Sequence, residues 1–198
     1  MTSLSLVTAP ARLPVTLAEV RAHMVTDDQD VETDALIDQL ITAATDHLGG
    51  ADGVLGRALI TQTWDWRLDC WPSDGVLRVP LPPLQSVTSI TYSDSDGVDT
   101  VLASTEYTVD TWSRQGRIVP AYDRVWPTVR HHQDAIRVRY VAGYGAYWSA
   151  VPEPLRVAIA QLVTHWYEHR EPGVVGVSYA PLPMHVDRLI APYRIEAF

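Results

Sequence analysis

The chain has 198 residues, 46% hydrophobic and 20% charged, a globular composition that excludes a disordered protein. Its formal net charge of −9 argues against a surface that grips nucleic-acid phosphates. The single cysteine, Cys70, excludes an internal disulfide framework, fits synthesis in a reducing cytoplasm and is expected to be a small buried residue. The first ten residues lack the features of a signal peptide, and no apolar run is long enough to cross a bilayer, so no membrane association is expected.

Residues 14–56 have the pattern of two helices. Thr16 and Glu19 form a capping box, in which each side chain bonds the backbone N–H of the other, and predict a short helix ending near Val25. A second helix is predicted from about Val31 to Leu48, ended by glycines at 49 and 50. Its apolar face comprises Leu36, Ile37, Leu40, Ile41, Ala44 and Leu48.

Residues 57–142 change to the alternating pattern of β-strands. Strands are predicted at residues 60–68, 76–79, 87–92, 98–102, 107–110, 117–120 and 135–141. Between the predicted strands at 87–92 and 98–102, residues 94–97 (DSDG) are typical of a hairpin turn. Short strands at this spacing indicate an antiparallel sheet or a small barrel-like domain.

Residues 143–198 return to a helical pattern. The prolines at 152 and 154 begin a helix, and a short final helix is predicted between Pro183 and Pro192. The tail from Tyr193 to Phe198 shows no fold of its own. We therefore predict an α+β fold, a helical bundle formed by N- and C-terminal helices with an inserted antiparallel β domain. The expected divisions are 1–56, 57–142 and 143–198, the last packing with 14–56.

One motif suggests a metalloenzyme. His165, Glu168 and His169 have the H-x-x-E-H spacing of inverted zinc-protease motifs, in which two imidazoles four residues apart bind zinc and the carboxylate activates water. A third protein ligand is needed, and the acids that follow are Glu171, Asp187 and Glu196. A zinc-dependent hydrolase is therefore an alternative, while surface or interface histidines are the simpler interpretation.

Tryptophan content suggests a second alternative. The chain has seven tryptophans. Several fall in the predicted strands, where a core explains them, and the excess is also typical of protein-binding surfaces. A carbohydrate- or cell-surface-binding β module using Trp64, Trp66 and Trp112 is therefore considered.

Several phrases occur in an order that resembles a known family. They are residues 14–20 (PVTLAEV), 34–37 (DALI), 56–64 (GRALITQTW), 81–87 (LPPLQSV), 142–145 (AGYG), 151–156 (VPEPLR), 165–168 (HWYE) with 170–171 (RE), and 189–194 (LIAPYR). Together they resemble the head-tail connector, or adaptor, family of long-tailed phages, prophages and gene transfer agents, over about residues 14–194. That family has Asn or a variable residue where this chain has His169, which weakens the zinc interpretation.

The resemblance implies a structural virion protein, made in the bacterial cytoplasm and located in the neck of a phage or phage-like particle. Such adaptors form a homo-oligomeric ring, expected to be a dodecamer, between the portal protein and the stopper or tail-completion protein. DNA passes through the channel without specific binding, which suits the acidic net charge. No catalytic residue, cofactor or metal is expected. The portal-binding residues implied by the resemblance are Leu189, Ile190, Pro192, Tyr193, Arg194, Ile195 and Phe198.

Overall fold

The computed structural model of the chain describes residues 2–24, 31–169 and 184–195. The helices of these residues are α1 Leu17–Met24, α2 Val31–Leu48, α3 Glu153–Glu168 and α4 Met184–Ile190, with 3-10 turns at Trp148–Ala150 and Ala191–Tyr193. The strands are β1 Thr2–Thr8, β2 Gln62–Leu68, β3 Leu77–Arg78, β4 Leu84–Ser93, β5 Asp99–Val101, β6 Tyr107–Asp110, β7 Arg117–Pro120 and β8 Ile136–Ala142. The expected mixture of helices and antiparallel sheets is confirmed.

The chain divides into two compact units. The first comprises residues 1–11 and 61–144, and the second comprises residues 12–60 and 145–198. Residues 1–11 belong to the same unit as the other strands, because β1 pairs with β2. No element was predicted from the sequence at residues 2–8.

The first unit contains two antiparallel sheets. A five-stranded sheet has the order β1-β2-β8-β4-β5, and a three-stranded sheet has the order β3-β7-β6. Because side chains alternate along a strand, one face of the larger sheet is apolar and buried. The buried residues of this face are Trp64, Trp66, Leu68, Ile90, Ile136, Val138 and Tyr140. Trp64 and Trp66, considered above as exposed binding residues, are therefore core residues.

The opposite face of the larger sheet includes an ion pair across β2 and β8. Asp65 lies directly opposite Arg139, whose guanidinium donates two hydrogen bonds of 2.7 and 2.8 Å to the carboxylate. The Asp65 carboxylate is almost fully buried, and its hydrogen bonds from Arg139 hold its pKa below the ordinary value. A buried carboxylate needs such a partner to remain charged, so this pair helps to fix the register of the two strands.

The second unit contains the four described helices, and the predicted capping box is present. The Glu19 N–H donates to the Thr16 hydroxyl at 3.3 Å, and the Thr16 N–H donates to the Glu19 carboxylate at 2.8 Å. Arg156 of α3 also pairs with Glu19, so the capping residue links α1 to α3. Helix α3 contacts α1, α2 and α4. Four positions of the predicted α2 face are fully buried: Ile37, Ile41, Ala44 and Leu48.

Two turn predictions are confirmed, and one burial prediction is wrong. Gly50 and Gly97 have φ angles of 81° and 83°, as expected where α2 ends and at the turn before β5. Cys70 is exposed, not buried, because it follows the end of β2 in a bend. Of the helices that the structure describes, none is both long and apolar enough to span a bilayer.

Candidate functional site

The segment from α4 to Ile195 is fixed to the second unit by two buried side chains. Val186 and Ile190 are each 0% exposed, whereas Met184 is 71% exposed and Leu189 is half-buried. Val186 and Ile190 are four residues apart, so they lie on the same face of the helix. Helix α4 contacts α3 in the same unit, and it therefore sets the direction in which the residues after Ile190 continue.

The residues after α4 are held by hydrogen bonds to the loop at residues 55–57. The Ile195 N–H donates to the Leu55 carbonyl at 3.0 Å, and the Arg57 guanidinium donates to the Tyr193 carbonyl. Gly56 lies between these partners with a φ of 58°, and a Cβ there would meet the Ile195 carbonyl oxygen at 3.4 Å. Tyr193 to Ile195 are thus held against their own chain, although the sequence indicated no fold of its own for the tail. Leu55 and Arg57 position the tail; the phrase at 56–64 included Arg57, but no long-range pairing could be inferred from it.

This arrangement presents a surface of apolar side chains beside an ion pair. Pro192 is exposed, and the side chains of Tyr193 and Ile195 are half-buried. The Arg194 guanidinium pairs with Asp187 of α4 at 2.6 Å, which restricts the direction of its side chain. Six of the seven residues implied in portal binding belong to this segment, with Ile190 buried, and Phe198 lies outside the described residues. Apolar residues around an oriented guanidinium suit protein recognition.

The histidine motif at the end of α3 lies near His185 of α4, in the same unit. The His165 and His169 rings are 4.5 Å apart between centroids, and Nδ1 of His169 is 2.9 Å from the His165 carbonyl oxygen. Burial and the neighbouring His169 and His185 lower the pKa of His165. Among the described residues no three His, Cys, Asp or Glu side chains are arranged to hold a metal ion. Asp187 is paired with Arg194, and Glu171 and Glu196 lie outside the described residues.

Trp112, the third tryptophan considered for a carbohydrate- or cell-surface-binding module, lies at the turn between β6 and β7. Its side chain is 97% exposed, and its backbone N–H donates to the Asp110 carboxylate at 2.9 Å. Asp110 also accepts from the Ser113 hydroxyl at 2.6 Å and from Arg117 at 2.7 Å, and these bonds lower its pKa. Of the three tryptophans named for this alternative, Trp112 is exposed and Trp64 and Trp66 are buried.

Comparison with known proteins identifies the family. The family model described as head completion protein (HCP) matches residues 15–195. No protein of curated function matches the chain.

Three solved structures are similar over almost the whole chain. A chain in the neck of an empty GTA particle computed with C6 symmetry has a TM-score of 0.77 and 25% identity, with 99% of this chain and 97% of that chain covered. A chain in the neck of a native GTA particle computed with C12 symmetry has a TM-score of 0.71, 25% identity and the same coverage, 99% and 97%. A chain in the virion of a native gene transfer agent (GTA) particle shares the fold, with a TM-score of 0.69, 23% identity, and 98% and 96% coverage. The resemblance to head-tail connectors is confirmed, and the chain belongs to the head completion protein family.

Proposed function

We propose that this chain is a structural head-tail connector in the neck of a phage or gene transfer agent particle. The observation that supports this most strongly is the family match over residues 15–195. The similar chains from GTA necks are covered over 97% of their own length, so the likeness extends to the whole neck subunit and not to one shared domain. The proposed role is structural: the chain connects the head to the tail.

The connector acts as a ring of identical copies. The C6 and C12 symmetries of the related necks support a ring, with twelve copies as the proposed number. A closed ring requires that each copy present two different surfaces, one to each neighbour. DNA leaves the head through the central channel, and the acidic net charge of −9 per chain disfavours adhesion to phosphates.

The portal protein contacts one end of this ring through the segment that follows α4. In this proposal Leu189, Pro192 and Tyr193 provide apolar contact area, as do Ile195 and Phe198, and Arg194 pairs with an acidic or carbonyl group of the portal. Ile190 is 0% exposed, so its role is to anchor the segment rather than to touch the partner. The opposite end of the ring receives the stopper or tail-completion protein.

We further propose that the N- and C-terminal helices act as one bundle from which residues 57–142 form an inserted β domain. The contacts of α3 with α1, α2 and α4 support the proposed bundle. The bundle fixes the portal-binding segment, since both the Leu55–Arg57 loop and α4 belong to the second unit.

The chain is proposed not to be an enzyme. Its family and its structural neighbours are described as completion, neck and virion proteins. His165 and His169 occupy the end of α3, where the nitrogen of one ring already contacts a backbone carbonyl. Stoichiometric zinc in the purified protein, lost in His169→Ala, is the result that would restore the hydrolase alternative.

Native mass spectrometry of the full-length chain with its cognate portal tests the portal contact. A chain ending at Ile195 removes residues 196–198 and preserves the bonds to Leu55 and Arg57, whereas a chain ending at Ile190 removes the whole segment. We expect binding to weaken with the first truncation and to be lost with the second. Tyr193→Ala should also weaken binding, while Tyr122→Ala, at a residue 100% exposed in the other unit, should not. Unchanged binding by both truncations would contradict the proposed site.

A further inference from the structure

The two edge strands of the five-stranded sheet differ in how they are protected. β5 is three residues long and includes the charged Asp99, both features that discourage pairing with another strand. β1 is seven residues long, and the chain has no charged residue before Arg12. Long uncharged edges are the ones that accept a further strand.

The outer edge of β1 has the geometry that strand addition requires. Only β2 pairs with β1 among the described strands, with the regular register from Thr2↔Leu68 to Leu6↔Trp64. Backbone N–H and C=O groups point alternately to the two sides of a strand, so about half of those of β1 face away from β2. Leu6 and Val7 are 46% and 44% exposed, which leaves apolar side chains beside this open edge. The backbone groups and the side chains are therefore both available to a partner.

We propose that the open edge of β1 pairs with an extended segment of the neighbouring copy of this chain, and that this pairing is an inter-subunit contact of the ring. The inference rests on the proposed connector function, which places identical copies side by side. Each copy has a net charge of −9, so neighbours repel each other except where charge is absent or compensated. The amino-terminal strand, which has no charged side chain, is such a place, and backbone hydrogen bonds form there without bringing acidic side chains together.

The chain provides a matched pair of substitutions at the two edges. Val7→Lys introduces a charge at the β1 edge, and Val101→Lys introduces the same charge at the β5 edge, where the side chain is 65% exposed. Both positions are exposed, so both variants should fold, as circular dichroism can verify. We expect Val7→Lys to weaken ring assembly on the cognate portal by more than about tenfold and Val101→Lys to leave it unchanged.

Hydrogen exchange measures the backbone pairing itself. In the free full-length chain about half of the β1 amides should exchange quickly, and in the portal-bound ring these amides should become protected. A photo-crosslinking residue at position 7 should then join two copies of this chain. Crosslinks to the portal instead would overturn the choice of partner.

The outcomes separate the two proposals. A ring in which β1 exchanges as fast as in the free chain would overturn strand pairing and leave the connector function intact. A wild-type chain that forms no ring with its portal would remove the proposed function, and with it this inference.

Discussion

The amino-terminal strand and the carboxyl-terminal segment are attached to their units by different forces. β1 is held by backbone pairing to β2, and Leu6 in it remains 46% exposed. The segment after α4 is held by Val186 and Ile190, both 0% exposed, and by hydrogen bonds to Leu55 and Arg57. The first kind of attachment leaves a strand edge open, and the second fixes the direction of a short peptide. The two segments are thus suited to different contacts, strand addition in one case and side-chain recognition in the other.

The largest effect should come from the anchor of the carboxyl-terminal segment. Ile190→Ala creates a cavity at a fully buried site and should lower the free energy of unfolding by about 2–5 kcal/mol. Leu189→Ala, at the half-buried neighbouring position, should cost clearly less. Urea denaturation of both variants measures the difference. Equal losses would mean that Ile190 does not anchor the segment.

The next effect concerns the sheet to which β1 is attached. Asp65→Asn weakens the charge-assisted bonds from Arg139 and should lower the free energy of unfolding by about 1–3 kcal/mol at neutral pH. The folded-state pKa of Asp65 is lowered, so this stabilisation is complete above the unfolded value of 3.8 and disappears as the pH falls through the folded value. The stabilities of the wild type and the variant should therefore begin to approach each other as the pH falls below 3.8, and should converge once the pH is below the lowered folded-state pKa of Asp65. Asp38→Asn, on the exposed side of α2, is the control and should change stability by less than about 0.5 kcal/mol at either pH.

A smaller effect is expected at the start of the helical unit. Thr16→Ala removes the hydroxyl that accepts the Glu19 N–H and should destabilise the chain by about 0.5–2 kcal/mol. Thr42→Ala removes a hydroxyl from the exposed face of α2, away from the helix ends, and should cause no such loss of stability. Thermal unfolding of both variants distinguishes a capping role from a general effect of losing threonine.

The smallest effect should be at the amino-terminal strand. Leu6→Ala shortens a side chain that is 46% exposed, so it should change the stability of the free chain by less than about 1 kcal/mol. The contrast with Ile190→Ala is the most direct check of the comparison above. A cost for Leu6→Ala as large as that for Ile190→Ala would show that β1 is fixed by side-chain packing, contrary to its exposure.

Local signals in the sequence predicted most of the elements. The capping box at Thr16 and the turn at Gly97 depend on neighbouring residues, and both were predicted at the correct positions. β1 was not predicted, because Leu4 and Leu6 alone give too short an alternation among serines and threonines. The bonds from residues 55–57 to the tail join positions about 140 residues apart, and no local pattern encodes them. Trp64 and Trp66 show the same limit. The sequence shows that they lie in a predicted strand, but only the packing of the sheet shows that their side chains are on its buried face.

The connector function was inferred from short sequence segments that occur in the same order as in a known family, and not from any reactive group. Neither the net charge nor the aromatic residues of the tail would have led to it. The proposed portal-binding residues depend on that resemblance still more strongly. Their burial gives the proposal separate roles to test, with the buried Ile190 as anchor and the half-buried Tyr193 as the proposed contact residue.

The central claim, that this chain joins head to tail, is tested most directly by electron microscopy of particles produced without it. Removal of its gene from the producing genome should yield heads that do not attach tails, and supplying the wild-type chain in trans should restore tailed particles. Tailed particles in normal number in the absence of the chain would contradict the account.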